Sequence, residues 1–258
     1  METVRWFSAE VESLARFWRE VVVDTNPWVE VEAEPGFAHG EAAGFFVNCG
    51  PLDGYGKQSG ASFRAAHEKV AADLGFELGL PIPPVVLTEP DGRLCSVSAI
   101  PFPGPQKWGT ALQAPESVSI LTPRLLAASS AMEPFDTWVG NSDRHNEGNL
   151  IVSRAIEGGG IAYIDYSNSL THSWQAGPAP PIVQSIGRYP ALGDIEIKIV
   201  RETIDKIEAL DGQIINSVVD RVPEAYLPAD RKKALSEALL SRRGDLRGVF
   251  ETQYGGSK

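Results

Sequence analysis

Apolar residues recur every three or four positions in some stretches of the chain and form short runs in others, and this marks off helices and strands before any chemistry is considered. Phe7, Val11, Leu14, Phe17 and Trp18 place an amphipathic helix or helical turn within Trp6–Val23. Trp28–Glu34 and Ala42–Cys49 read as strands separated by a Pro35-Gly36 turn and the Gly40 region, which predicts a small antiparallel sheet. Gly50–Gly60, GPLDGYGKQSG, reads as a glycine-rich loop. The strongest helical repeat of the first half, Phe63, Ala66, Val70, Leu74 and Leu78, spans Ser62–Leu78, and Gly79-Leu80-Pro81 closes it as a C-terminal glycine followed by proline should. Pro83–Leu87 and Leu94–Ile100 form a hairpin around Glu89-Pro90-Asp91-Gly92.

The second half is mainly helical. Leu125, Leu126, Ala128, Met132, Phe135 and Trp138 define a buried helix over Leu121–Trp138. A polar loop follows, then the apolar strand Leu150-Ile151-Val152, a turn, and a second strand, Ile161-Ala162-Tyr163-Ile164, that runs straight into Asp165. Thr171–Pro190 reads as a loop on the substrate side, and Glu196–Leu210, Asp211–Arg221 and Pro228–Val249 as three helices. Neither an internal repeat nor a low-complexity tract is apparent.

Composition narrows the classes. The 258 residues, 43% hydrophobic and 22% charged, suit one large or two small globular domains. A formal net charge of −11 argues against nucleic acid or an anionic membrane as the main partner, because either needs a basic surface. A basic protein substrate is compatible with it. Cys49 and Cys95 are too few for a disulfide framework or a zinc site. The start of the chain lacks the charged and apolar regions of a signal peptide, and no stretch approaches the ~20 apolar residues of a membrane span. The expected location is the cytoplasm.

The candidate chemistry lies in FDTWVGNSDRHNEGNLIV, Phe135–Val152, and in the strand ending at Asp165. Asp143 and His145 sit in the polar loop, with Asn146 and Asn149 just beyond. A bare carboxylate after a buried strand is costly unless a cation meets it. Two carboxylates and a carboxamide at one place suit phosphoryl transfer: one carboxylate can orient or deprotonate an attacking hydroxyl, while the other and the amide oxygen hold metal ions on the nucleotide phosphates. An aspartate in Asn-Ser-Asp is also a common turn residue, and a lone loop histidine is more often structural. Glycines in Gly50–Gly60 would admit a phosphate to backbone amides, and a plain surface loop fits them equally.

These residues resemble the HipA-like kinases and, more remotely, the phosphatidylinositol 3- and 4-kinases. The resemblance rests on Asp143-Arg144-His145 followed by asparagine, an apolar strand and Ile164-Asp165, with support from the Glu68 helix leading into Gly-Leu-Pro-Ile-Pro-Pro and from the last helix with Arg242 and Arg243. It implies an α+β, bilobal protein-kinase-like fold: residues 1–103 as a small antiparallel-sheet lobe and residues 104–258 as a helical lobe with the catalytic loop. It implies Asp143 and His145 as catalytic residues, Asn149 and Asp165 as metal ligands, and Glu68 as partner of a strand lysine that grips the nucleotide. Backbone groups around Ile100 and Phe102 would face the adenine, if PFPGPQKWG is a hinge and not a simple linker. Where relatives carry that lysine this chain has Phe46-Val47-Asn48, so Lys57 is the nearest candidate and Lys69, next to Glu68, a poorer one. The metal-binding asparagine is also displaced by one residue, with Gly148 at the usual position, so that either Asn149, preferred because it directly precedes the apolar strand, or Asn146 serves; Tyr166-Ser167 replaces a His-Gly-like pair. The resemblance thus implies an ATP-dependent serine/threonine kinase acting on a protein substrate. The alternatives are a nucleotide-binding pseudokinase that regulates a partner protein, transfer of the adenylyl group, and an adaptor without ligand.

Overall fold

The computed structural model describes residues 6–32, 44–60, 63–170 and 179–255. The expected Pro35-Gly36 turn, the Gly40 region and residues 171–178 of the expected substrate-side loop lie outside them.

The first lobe is an antiparallel sheet in the order β1-β2-β3-β5-β4, formed by β1 (Val29–Val31), β2 (Gly44–Cys49), β3 (Leu52–Gln58), β4 (Val85–Thr88) and β5 (Cys95–Ala99). Helix α1 (Ala9–Glu20) buries Trp18 against Trp28 and this sheet, and starts at Ser8, whose hydroxyl accepts from the Val11 amide. Helix α2 (Arg64–Leu78) crosses the opposite face and ends at Gly79, where φ of +68° provides the left-handed cap. The expected loop over Gly50–Gly60 is instead mostly β3. Its glycines serve packing: a Cβ on Gly54 would come within 2.5 Å of Val97, and one on Gly56 within 2.5 Å of the Phe45 ring. Glycines forced by neighbouring side chains look, in sequence, like glycines of a turn.

Beyond Ala99 the chain enters the second lobe through β6 (Gln106–Lys107) and the short α3 (Trp108–Ala111). Helix α4 (Pro115–Val139) starts earlier than its apolar repeat suggests and is buried along its whole second half. Strands β7 (Leu150–Ser153) and β8 (Gly160–Tyr163) pair antiparallel, and β6 joins them in a three-stranded sheet. Helices α5 (Ile197–Ala209), α6 (Gly212–Asp220), α7 (Ala229–Arg242) and α8 (Leu246–Tyr254) complete the lobe. The helix expected over Pro228–Val249 is therefore two, interrupted at Arg243-Gly244-Asp245.

One apolar core runs from Val70 and Leu74 of α2 through Leu125, Phe135 and Trp138 of α4 to Ile204, Leu239 and Phe250. Each such side chain contributes roughly 1.5–3 kcal/mol by leaving water. Polar ties reinforce the junction. Trp6 donates to the Gly79 carbonyl at 2.9 Å while the Arg124 guanidinium lies over its ring, the Tyr163 amide donates to the Pro81 carbonyl at 2.8 Å, and Arg221 pairs with Asp73 of α2 at 3.0 Å. Among the described residues, no helix is long and apolar enough to cross a membrane.

Candidate active site

Alternation along the first sheet sets one wall of the cleft. Phe46 of β2, Tyr55 and Lys57 of β3, and Ser96 and Ser98 of β5 share a face, because the register pairs Phe46 with Tyr55, Tyr55 with Ser98 and Lys57 with Ser96. The strand that directly precedes α2 is β3, so Lys57 stands near the end of the last strand before the Glu68 helix. Asn48 lies elsewhere: its amide donates to the Asp53 carboxylate at 2.9 Å and fastens the β2–β3 turn. Lys69, the second lysine considered, is fully buried away from the cleft, where it donates to Asp73 and to the Trp18 and Val85 carbonyls.

Lys57 Nζ lies 2.7 Å from Glu68 Oε1 and 2.8 Å from Asp165 Oδ1. The other Glu68 oxygen accepts the Tyr166 amide at 3.0 Å, so the helix glutamate also fixes the backbone just after Asp165. Burial alone would lower the Lys57 pKa and raise that of Asp165, but charge attraction wins: Glu68 first and Asp165 next act on the lysine, and Lys57, then Ser167, on the aspartate. Lys57 is held above its ordinary value and Asp165 below its own. Glu68, fully buried beside a lysine it shares with a second carboxylate, is raised by burial and by the Asp165 charge. One lysine thus serves two carboxylates, and the local charge is negative. Asp165 itself has φ of +63°, a left-handed conformation that costs a non-glycine residue energy and turns the strand end into the cleft.

The opposite wall is the loop between α4 and β7. Asn149 donates from its side-chain nitrogen to the Asp143 carbonyl at 2.9 Å and to Asp143 Oδ2 at 3.1 Å, which fixes the aspartate carboxylate and leaves the side-chain oxygen of Asn149, Oδ1, with no partner among the described residues. Asn146, the other asparagine considered, is spent locally as acceptor of the Gly148 amide at 3.0 Å. That turn absorbs the one-residue displacement seen in the sequence. Beneath the loop lies Arg144, buried between the Tyr163 and Tyr166 rings, paired with Asp136 of α4 and donating to the Asn149 and Ile164 carbonyls. The carboxylate that meets Arg144, eight positions back on a helix, is not readable from the loop itself.

Between the walls is a cleft of about 640 Å³, within the range of small-molecule sites, lined by Lys57, Glu68, Ile100, Asp143, Asn149 and Asp165 among others. His145 sits apart from the cleft, and of Phe102 only the backbone is left to face it. The His145 ring turns away, donating from Nε2 to the Ile186 carbonyl at 2.7 Å and meeting Tyr189 edge-on. The Phe102 side chain is buried with Ile151 and Ala162 behind the cleft. Arg64, which the sequence reading passed over, lines the cleft one turn before Glu68.

Among the described residues, no three His, Cys, Asp or Glu side chains cluster as a metal site. The donors that line the cleft, the Asp165 carboxylate and the side-chain Oδ1 of Asn149 beside Asp143, are hard oxygens of the kind Mg2+ prefers. They are too few to complete an octahedron, which suits a magnesium that arrives with phosphate and water ligands.

The fold is the bilobal protein-kinase-like class: a small antiparallel sheet carrying one helix, a mainly helical second lobe, and a cleft between them. A search of solved structures finds the proinflammatory kinase CtkA of Helicobacter pylori, with a TM-score of 0.60 and 19% sequence identity over 89% of this chain and 97% of that one. No family model and no curated protein sequence matches the chain.

Proposed function

We propose that this chain is an ATP-dependent kinase of the HipA-like type, which transfers the terminal phosphoryl group of Mg-ATP to a hydroxyl, with a serine or threonine of a protein as the acceptor class. The observation that carries the reading is Lys57 paired at once with Glu68 and Asp165 across a cleft whose far wall presents Asp143 and Asn149. In this reading Glu68 holds Lys57 against the phosphates, Asp165 and Asn149 hold magnesium, and Asp143, oriented by the Asn149 amide, accepts the proton of the attacking hydroxyl. Magnesium, when bound, neutralises phosphate charge and aligns the terminal group.

The adenine would lie against Ile100 and Ile151. The Ile100 amide donates to the Asp53 carbonyl and Pro101 has no amide hydrogen, while the Ile100 carbonyl and Phe102 amide have no partner among the described residues. That acceptor and donor match the edge of an adenine. We place the lobe boundary between residues 103 and 104, the protein in the reducing cytoplasm, and no nucleic acid or membrane among its partners. The pseudokinase reading rests on Asn48 standing where a lysine was expected and on the displaced asparagine; Lys57 on the strand before α2, and Asn149 bonded to Asp143, support the active kinase over it.

Radiolabelled ATP, magnesium and a mixture of protein acceptors test the proposal. Labelled protein that disappears in the Asp143→Ala and Asp165→Ala variants, both still folded, is the expected result. ATP binding with no labelled product from the unaltered protein would refute it.

A further inference from the structure

Lys57 cannot be the whole cationic counterpart of a triphosphate, because Glu68 and Asp165 already claim it at 2.7 and 2.8 Å. Arg64 also lines the cleft, half-buried, and its guanidinium has neither a hydrogen-bond nor an ion-pair partner among the described residues. It stands four positions before Glu68 on α2, hence on the same face and about 6 Å nearer the start of the helix. The far end of α2 is the tethered one, fixed through Gly79 to Trp6 and through Pro81 to Tyr163. The first turn shares the cleft wall with Ser167 and Asn168, the residues just past Asp165, and His67 beside it has Nδ1 3.5 Å from the Ser167 carbonyl.

Resting on the nucleotide reading above, we infer that the Arg64 guanidinium contacts the terminal phosphoryl group of the bound nucleoside triphosphate, reading the presence of a third phosphate. A planar fork of N–H donors suits two oxygens of one phosphate, and a guanidinium that no described carboxylate pairs can turn to a ligand without breaking such a pair. The group it meets must be anionic and lie beyond the metal-side carboxylate. In a cleft that already holds the negative Asp143, Asp165 and Glu68, the terminal phosphate adds the charge that most needs a further cation. Lys107, the third cation lining the cleft among the described residues, belongs to β6 in the second sheet.

Calorimetric titration of the whole chain with a non-hydrolysable ATP analogue and with ADP, both with magnesium, reads this directly. Arg64→Ala should weaken the analogue about tenfold or more and change ADP less than about twofold, with Arg64→Lys in between. A packing role would not separate the two ligands. Equal weakening of both, or no weakening of either, overturns the assignment, and an effect confined to the KM of an acidic acceptor would place Arg64 on the acceptor side and overturn it too. Should Arg64→Ala fail to fold, Arg64→Lys carries the same comparison. If the unaltered protein binds neither nucleotide, the cleft reading has failed and the Arg64 assignment falls with it.

Discussion

Arg144 and Asp136 form a two-pronged ion pair in which each side chain is 1% exposed, with Nε and Nη2 of the arginine on the two carboxylate oxygens at 2.7 and 3.1 Å. The remaining nitrogen, Nη1, donates to the Asn149 and Ile164 carbonyls, so one guanidinium joins α4, the end of the Asp143 loop and the residue before Asp165. Removing either partner strands a buried charge. Arg144→Leu and Asp136→Leu should each lower unfolding free energy by roughly 3–5 kcal/mol, whereas the double variant should lose clearly less than the sum. Urea denaturation of the four proteins checks this, and additive losses would mean that the two groups do not act as a pair.

Acid should act through Asp165. Its folded pKa lies below the unfolded one, so its contribution to stability is fully present above the ordinary aspartate range and is lost as pH falls through the lowered value. Lys57, raised when folded, contributes below the ordinary lysine range and loses that contribution as pH rises through its raised value. Between about pH 5 and about pH 3, the unaltered protein should therefore lose more stability than Asp165→Asn, which has no charge to titrate. Denaturation midpoints across that range are the measurement, and parallel curves would contradict the pairing.

His145 and Asp143, two residues apart, should behave very differently. Asp143 faces the cleft, whereas His145 holds the Ile186 carbonyl on the outside of the loop, where Gly187 with φ of +86° passes close to the ring. His145→Ala should lower stability by about 0.5–1.5 kcal/mol, the net worth of one hydrogen bond, and reduce phosphoryl transfer by less than about tenfold. Asp143→Ala should reduce transfer by about a hundredfold or more. Transfer rates of the two variants side by side decide between an orienting and a chemical role for the histidine.

The glycines of β3 make a packing prediction. Gly56→Ala sets a methyl group against the Phe45 ring, and Gly54→Ala sets one against Val97, so each should cost about 1–3 kcal/mol through forced rearrangement. Gly50→Ala meets no atom within 4 Å and should cost only the strain of φ +62°. Melting temperatures that fail to rank Gly56→Ala among the damaging changes would remove the packing explanation for the glycine-rich stretch.

The sequence revealed the helical repeats and the strands flanking Asp143 and Asp165, because their periodicity and their isolated polar residues both survive in the fold. Gly54 and Gly56 misled, since the reason for them sits on other strands, in Phe45 and Val97. That error hid β3 and made Lys57 look displaced when it stands at a strand end facing Glu68. The Asn149 displacement was visible as a count but not its cause, the local turn closed by Asn146 and Gly148. The orientation of His145 depends on Ile186 and Tyr189, far along the chain, and no local pattern carries it. Arg64 could have been found from its i, i+4 relation to Glu68, which puts both on one helical face.

The tethers on α2 bear on how the protein could be switched. Asp73 is clasped by Arg221, the helix end at Gly79 accepts from Trp6, and the chain just beyond is bound to Tyr163, while Lys69 ties the same helix to the Trp18 and Val85 carbonyls above. Rotating Glu68 outward would mean breaking attachments on both sides of α2 together. A swinging glutamate is therefore a poor candidate for an on–off device in this protein.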